Sequence, residues 1–224
     1  MHYHIGRMLI DENFKKSDLC PMCLIKLKAE SRLAEQYLGE GVMEDDTRKE
    51  VNKLGFCLRH FDMLYKMQSK LGLALQTSTR LATIKKVLDE PKSPSAAKKQ
   101  AQKIRELGKS CVVCKYLDEH MIRYYKTVAE IFGGEPTFKE RIDQTNGFCL
   151  EHYSGLIEYS SYAGKRADEY LKLLYRKEKE RLDKLGDKLT EFCSRFDYRN
   201  ASKPIGDEKT ALPESRAAIY GLDE

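Results

Sequence analysis

The sequence predicts an all-α protein built from two duplicated lobes and extended by a long C-terminal helix. Two observations carry most of that prediction. Cys20-Pro21-Met22-Cys23 and Gly55-Phe56-Cys57-Leu58-Arg59-His60 return downstream as Cys111-Val112-Val113-Cys114 and Gly147-Phe148-Cys149-Leu150-Glu151-His152. Between copies the cysteine pair shifts by 91 positions and the Cys/His pair by 92, the near-constant register of an internal duplication. Apolar residues also recur at helical spacing along most of the chain, and no stretch alternates apolar and polar residues long enough to argue for a sheet.

Taken in order, residues 1–17 show no periodicity and are expected to be a lead-in that packs on the core without organising it. The first helix begins at the first cysteine pair. Pro21 is tolerated in the first turn, where its missing N–H costs nothing, and Leu24, Leu27, Ala34, Tyr37 and Leu38 follow at helical spacing until Gly39 and Gly41. Glu44, Asp45 and Asp46 offer an N-cap for a short helix that Gly55 ends. From Phe56 one long helix is expected, with Phe61, Leu64, Leu71, Leu75, Ala82 and Leu88 along one side and a bend at Gly72. Pro91 to Ser95 make the clearest break in the chain. Lys98 to Leu107 reads as a basic helix ended by Gly108. A helix then starts at Cys111, with Leu117, Met121, Tyr124, Val128 and Ile131 as its core-facing stripe. A short helix over Phe138 to Thr145 and a return helix after Cys149 repeat the plan of the first copy. Leu171, Leu174, Leu182, Leu185, Leu189, Phe192 and Phe196 are spaced almost as heptads, with Glu178 filling one apolar slot, and predict a coiled-coil-like arm. After Tyr198, Pro204, Gly206 and Pro213 leave room for a helix only over Glu214 to Tyr220. The expected organisation is a first helical lobe with a metal site (1–90), a basic linker (91–110), a second lobe with a metal site and the long helix (111–199), and a tail packing on the body (200–224).

Composition narrows the function. The 224 residues carry a net charge of +5, and between Pro91 and Ser110 six basic residues face Glu106 alone, so the whole excess belongs to one segment. A solvated linker explains that better than a groove-sized nucleic-acid face. Seven cysteines fit a disulfide framework poorly, and six of them fall in the two copies. No apolar run approaches bilayer length, so a soluble cytoplasmic protein is expected. There is no Gly-rich phosphate loop, no G-x-S-x-G and no H-E-x-x-H, so no catalytic residue is expected.

The chemistry lies in the spacing. C-x2-C and C-x2-H each place two ligands three residues apart, on one face of a first helical turn, so two helix N-termini meeting head to head complete a set of four. The partial positive charge there favours thiolate over thiol. Three thiolates and a neutral imidazole match a closed structural Zn²⁺ site, two per chain, and leave no open position for a catalytic water. An iron–sulfur cluster with one histidine ligand is the less usual occupant. A dithiol redox pair is the competing reading of Cys20-Pro21-Met22-Cys23, but the second copy has Val112 in place of the proline. Phe56 and Phe148 are read as shielding the sites, Arg59 and Lys26 as solvated charges that could offset a site's net negative charge, His120 as a half-buried core residue, His2 and His4 as adventitious binders at most, and Cys193 as a packing residue.

The duplicated C-x2-C and G-F-C-x2-H halves, the long helix and the Phe196-Asp197-Tyr198-Arg199-Asn200 tail resemble an uncharacterised bacterial family described only as a domain of unknown function. The resemblance spans nearly the whole chain. It implies metal sites on Cys20, Cys23, Cys57 and His60 and on Cys111, Cys114, Cys149 and His152, and brings no activity with it. The expected function is a zinc-binding scaffold that engages another protein or a second copy of itself. A zinc/thiol redox switch is the alternative, and a regulator binding nucleic acid through residues 91–110 stands behind both.

Overall fold

In the computed structural model, which describes residues 3–15, 17–200 and 206–222, eleven α-helices and no strand are found among the described residues. α1 (Tyr3–Asn13) replaces the expected passive lead-in: Leu9, Ile10 and Phe14 are almost wholly buried. Its apolar face is barely two turns long, too short to register as a period. Arg7 reaches Glu135, and Arg141 holds Asp11 and the carbonyls of Ile10 and Phe14. α2 (Pro21–Leu38) starts as expected on its proline. α3 (Asp45–Leu54) runs from the acidic cluster to Gly55, whose φ of 68° is a conformation that favours glycine.

The expected single helix after Phe56 is two. α4 (Leu58–Lys66) stops at Met67, whose backbone is extended, and α5 (Lys70–Val87) restarts after Ser69. Gly72 therefore makes no bend. It permits close approach, since a Cβ there would come within 2.8 Å of the Leu38 carbonyl oxygen, and Ser69 Oγ donates to that same oxygen at 3.0 Å. α6 (Pro94–Leu107) is capped by Ser93 Oγ, which accepts from the Ala96 N–H, with Pro94 at the first position. Gln100 donates to the Val87 and Asp89 carbonyls, so the basic segment is folded structure, with Lys98, Lys99, Lys103 and Arg105 exposed.

α7 (Val112–Gly134) buries Leu117, Met121, Val128 and Ile131 of the expected stripe. α8 (Phe138–Gln144) and α9 (Leu150–Glu158) follow, then a 3₁₀ segment (Ser160–Arg166) interrupted at Gly164. α10 (Ala167–Ser194) is no free arm. It buries Tyr170, Leu173, Leu174, Glu178, Arg181 and Leu185 against neighbours that include α9 and α11 (Ala211–Tyr220), while Leu182 and Phe196 of the heptad-like pattern are exposed. α11 starts three residues before the expected Glu214 because Pro213 falls in its first turn, where proline is tolerated. Pro204, His2 and the side chain of His4 lie outside the described residues.

The chain packs as two units, residues 1–27 with 121–224 and residues 28–120, so the boundaries fall inside α2 and α7 rather than at the proline-rich break. The first unit is built on Phe14, Met22, Ile25, Phe132, Phe138, Phe148 and Tyr170, with the Phe14 and Phe138 rings 5.4 Å apart. The second includes a cluster of Ala34, Leu38, Leu64 and Leu73, covered by Phe56, Phe61, Met63 and Met67, and also buries Tyr37, Val51, Val112 and Leu117. Each large apolar side chain buried this way contributes about 1.5–3 kcal/mol.

Candidate metal centres

Each ligand pair opens a helix. Cys20 and Cys111 immediately precede α2 and α7, Cys57 and Cys149 occupy the N-cap positions of α4 and α9, and the second member follows three residues on. The structure brings all eight predicted residues into two groups of four, in which the ligand atoms lie within 4.8 Å of one another. The grouping crosses the copies. Cys20 and Cys23 meet Cys149 and His152, whereas Cys57 and His60 meet Cys111 and Cys114. This corrects the assignment by copy, and α2 supplies the reason. His60 Nε2 lies 2.7 Å from Glu30 Oε1. Glu30 stands two turns beyond Cys23 on α2, so His60 is held by a later stretch of that helix than the one that carries the first cysteine pair.

In the first group, Cys23 Sγ is 3.6 Å from Cys149 Sγ, and His152 Nδ1 is 3.6, 3.3 and 3.0 Å from the sulfurs of Cys20, Cys23 and Cys149. In the second, Cys57 Sγ is 3.9 Å from Cys114 Sγ, and His60 Nδ1 is 3.2, 3.3 and 3.3 Å from Cys57, Cys111 and Cys114. A tetrahedron with metal–sulfur bonds of about 2.3 Å and metal–nitrogen bonds near 2.0 Å has S···S edges of about 3.8 Å and S···N edges of about 3.5 Å. Both groups fit. All of these cysteines are free thiols, and both imidazoles present Nδ1.

Charge points the same way. Burial pushes Cys20 well up, helped by its neighbours Cys149 and Cys23, whereas hydrogen bonds from Cys20 and Cys23, with His152, hold Cys149 far below an ordinary thiol. In the second group burial opposes the Cys111 thiolate, but His60 and backbone N–H groups bring it down to about 6, while burial and Cys111 push Cys114 up to about 12. Burial disfavours both imidazolium ions. Contacts with the thiolates, and for His60 with Glu30, nevertheless raise His60 to about 10 and His152 to about 9. The thiolate is thus favoured at Cys149 and Cys111 beside the imidazolium of His152 and of His60, and a bound cation would favour further thiolates around a neutral imidazole.

The supporting residues differ between the groups. His60 Nε2 donates to Glu30, which is 1% exposed and also accepts from Arg59 at 2.8 Å, fixing the imidazole with Nδ1 toward the sulfurs. Arg59 is thus tied into the site. His152 Nε2 is buried without a partner among the described residues; Lys26 pairs with Glu151 next to it in sequence. Gly221, at the end of α11, covers this first group: a Cβ there would lie 3.3 Å from Cys23 Sγ and 3.4 Å from Cys149 Sγ. The two G-F-C turns are braced alike. Arg80 packs beside Gly55 and donates to the Asn52, Lys53 and Leu107 carbonyls, and Arg181 packs beside Gly147 and donates to the Phe148 carbonyl. Glu178 Oε2 accepts from the Phe148 N–H at 3.0 Å. Sequence reasoning missed Glu30, Arg80 and Arg181. Phe148 is fully buried and Phe56 half-buried, as expected of residues shielding the sites, while His120 and Cys193 join neither group.

A family model described as a family of unknown function, DUF6062, matches residues 1–223. The chain belongs to that family. An uncharacterized 23.9 kDa protein encoded in the xynA 3′ region of Caldicellulosiruptor sp. (strain Rt8B.4) is 28% identical over 190 residues, covering 84% of this chain and 87% of that protein. No solved structure matches. No helix among the described residues is long and apolar enough to cross a membrane.

Proposed function

We propose that this protein is a zinc-binding helical scaffold for protein interaction, its two Cys3His centres holding Zn²⁺ as structural ions. The observation that carries the reading is the donor set: three sulfurs and one Nδ1 in each group, at tetrahedral edge lengths and on facing helix N-termini. Zinc suits it because thiolate and imidazole are its usual ligands and four of them close the coordination shell, leaving no place for a catalytic water. The free thiols suit a reducing compartment, and we assign the protein to the cytoplasm. The interacting partner, another protein or a second copy, would meet exposed apolar side chains such as Tyr175, Leu182 and Phe196 along and just past α10.

A second reading, the thiol switch, is favoured by one contrast. Cys57 and Cys114 are half-buried, whereas all four donors of the first group are buried. Peroxide would then oxidise the second centre first and expel its ion. Elemental analysis of protein purified without added metal, with thiol titration before and after mild peroxide, tests both readings. About two zinc per chain with peroxide-resistant thiols supports the scaffold. Zinc release with disulfide formation supports the switch, and absence of zinc overturns both.

A further inference from the structure

In a chain with one residue in three charged, Arg80 is the only charged residue from Leu71 to Ile84, and it is turned inward, its donors on the Asn52, Lys53 and Leu107 carbonyls. Up to Lys85, α5 therefore has no charged outer face. Within the unit of residues 28–120 the helix is nevertheless covered on one side only, where Gly72, Leu73, Gln76 and Arg80 are buried. On the opposite side Leu71 is 73% exposed and Leu75, Leu81 and Leu88 are each about half exposed, with Ala74, Ser78 and Ala82 open to solvent between them. A helix without a charged face is ordinarily buried all round, and four leucines on one helix face are more than scattered surface residues. The outward residues also keep a heptad register: Leu71, Ser78 and Lys85 recur every seven positions, and Ala74, Leu81 and Leu88 each fall three later.

We infer that this face is a self-association surface, on which α5 of a second copy packs antiparallel about a twofold axis. Residue size and charge choose the direction together. In the antiparallel heptad register Leu71 meets Leu88 of the other copy, Leu81 meets Ser78 and Leu75 meets Ala82, so every leucine has an apolar or a small residue opposite. Lys85 meets Ala74, where its stem packs and its ammonium group reaches water. A parallel pair would set Lys85 against Lys85 on the seam. The ends agree. Lys70 opens α5 and Asp89 and Glu90 follow it, and none of the three forms an ion pair among the described residues. Antiparallel packing brings Lys70 of each copy to Asp89 and Glu90 of the other, twice by symmetry, whereas parallel packing opposes like charges at both ends. A face of 18 residues is about 27 Å long and one helix wide, small for a specific interface, so the dimer is expected to dissociate in the micromolar range. The surface includes none of the α10 side chains and does not depend on what the metal centres hold.

Sedimentation equilibrium of the full-length chain as purified, across the micromolar range, is the test, and a monomer–dimer equilibrium is expected. Leu81→Glu and Ser78→Glu each place a charge in the seam twice, once from each copy, and should each weaken the dimer at least about tenfold. Leu182→Glu on α10 should leave it unchanged. Lys70→Glu should weaken it about threefold or more, and adding Asp89→Lys and Glu90→Lys should restore it. All of these positions are exposed, and circular dichroism with metal content shows that each variant keeps its fold. A chain that stays monomeric, a dimer indifferent to Leu81→Glu and Ser78→Glu, a dimer dissolved by Leu182→Glu, or a charge exchange that restores nothing would each overturn the inference.

Discussion

Paired cysteine substitutions separate the grouping seen in the structure from the grouping by copy. Cys23 Sγ lies 3.6 Å from Cys149 Sγ, and Cys57 Sγ lies 3.9 Å from Cys114 Sγ, so Cys23 and Cys149 serve one centre while Cys57 serves the other. If a bound Zn²⁺ contributes about 10–16 kcal/mol of apparent binding energy, an even share per ligand is about 3 kcal/mol. Losing that share raises Kd at least about a hundredfold, enough for a chelator of intermediate strength to strip the damaged centre alone. Cys23→Ser with Cys149→Ser should therefore leave about one zinc per chain, and Cys23→Ser with Cys57→Ser about none. Elemental analysis after dialysis against the chelator reads the difference, with circular dichroism confirming the helices. Thermal midpoints give an independent reading: the first pair should be strongly non-additive, the second closer to additive. The reverse stoichiometry, none for the first pair and one for the second, would refute the crossed arrangement outright.

Three further outcomes follow from the residues around the centres. Glu30→Ala, which removes the acceptor from His60 Nε2, should lower zinc affinity about 10–100-fold at the second centre only, while Glu30→Gln keeps an acceptor and most of the affinity; a two-phase chelator titration resolves this, and an equal loss at both centres would contradict it. Gly155→Ala should destabilise by about 1–3 kcal/mol, because its Cβ would come within 2.4 Å of the Tyr125 ring beneath α9, whereas Gly186→Ala, with open space in mid-helix, should gain about 0.5–1 kcal/mol; urea denaturation that ranks them the other way defeats the packing argument. Burial raises the folded-state pKa of Glu178 against the opposing pull of the Phe148 N–H and Arg181, so its contribution is most favourable below the unfolded carboxyl pKa and is lost as pH rises through the folded value. Glu178→Gln keeps the acceptor for the Phe148 N–H without the charge and should flatten the fall in stability as pH rises above the ordinary carboxyl range; a parallel fall in both proteins would show that Glu178 does not carry it.

What could be read from the chain was local. Ligand identity and the i, i+3 spacing depend on single helical turns, and the all-α class on helical periods many residues long, so both were legible. Which half-site faces which depends on contacts such as Glu30 with His60, thirty residues apart, and no local pattern encodes them. The supporting residues did leave a trace. Glu30 follows the apolar stripe of α2 between Ala29 and Leu33, Arg80 continues the buried line of Leu73 and Gln76 on α5, and Arg181 lies between Glu178 and Leu185 on α10. A charged residue where the period demands an apolar one marks a buried partner, yet only Glu178 registered. The break at Met67–Ser69 carried no glycine or proline and was hidden, while Gly72 looked like a breaker and is a point of close packing.

The crossed pairing also orders assembly. The second centre joins residues 51–57 apart, from Cys111 to His60 and from Cys57 to Cys114, whereas the first joins residues 126–132 apart. Loop-closure entropy makes the longer connection costlier by about 0.8 kcal/mol, and closing the second centre first shortens the loop left for the other to about 70 residues, returning about two-thirds of that difference. If both centres bind zinc as proposed, the half-buried centre is expected to fill first and the buried one after it, each copy supplying half of both. One equivalent of zinc added to reduced, unfolded chain, followed by rapid thiol labelling and peptide mass spectrometry, should find Cys57, Cys111 and Cys114 protected while Cys20, Cys23 and Cys149 still label. Protection appearing first at Cys20, Cys23 and Cys149 would mean that local helix nucleation or packing of the larger core, not loop length, decides the order.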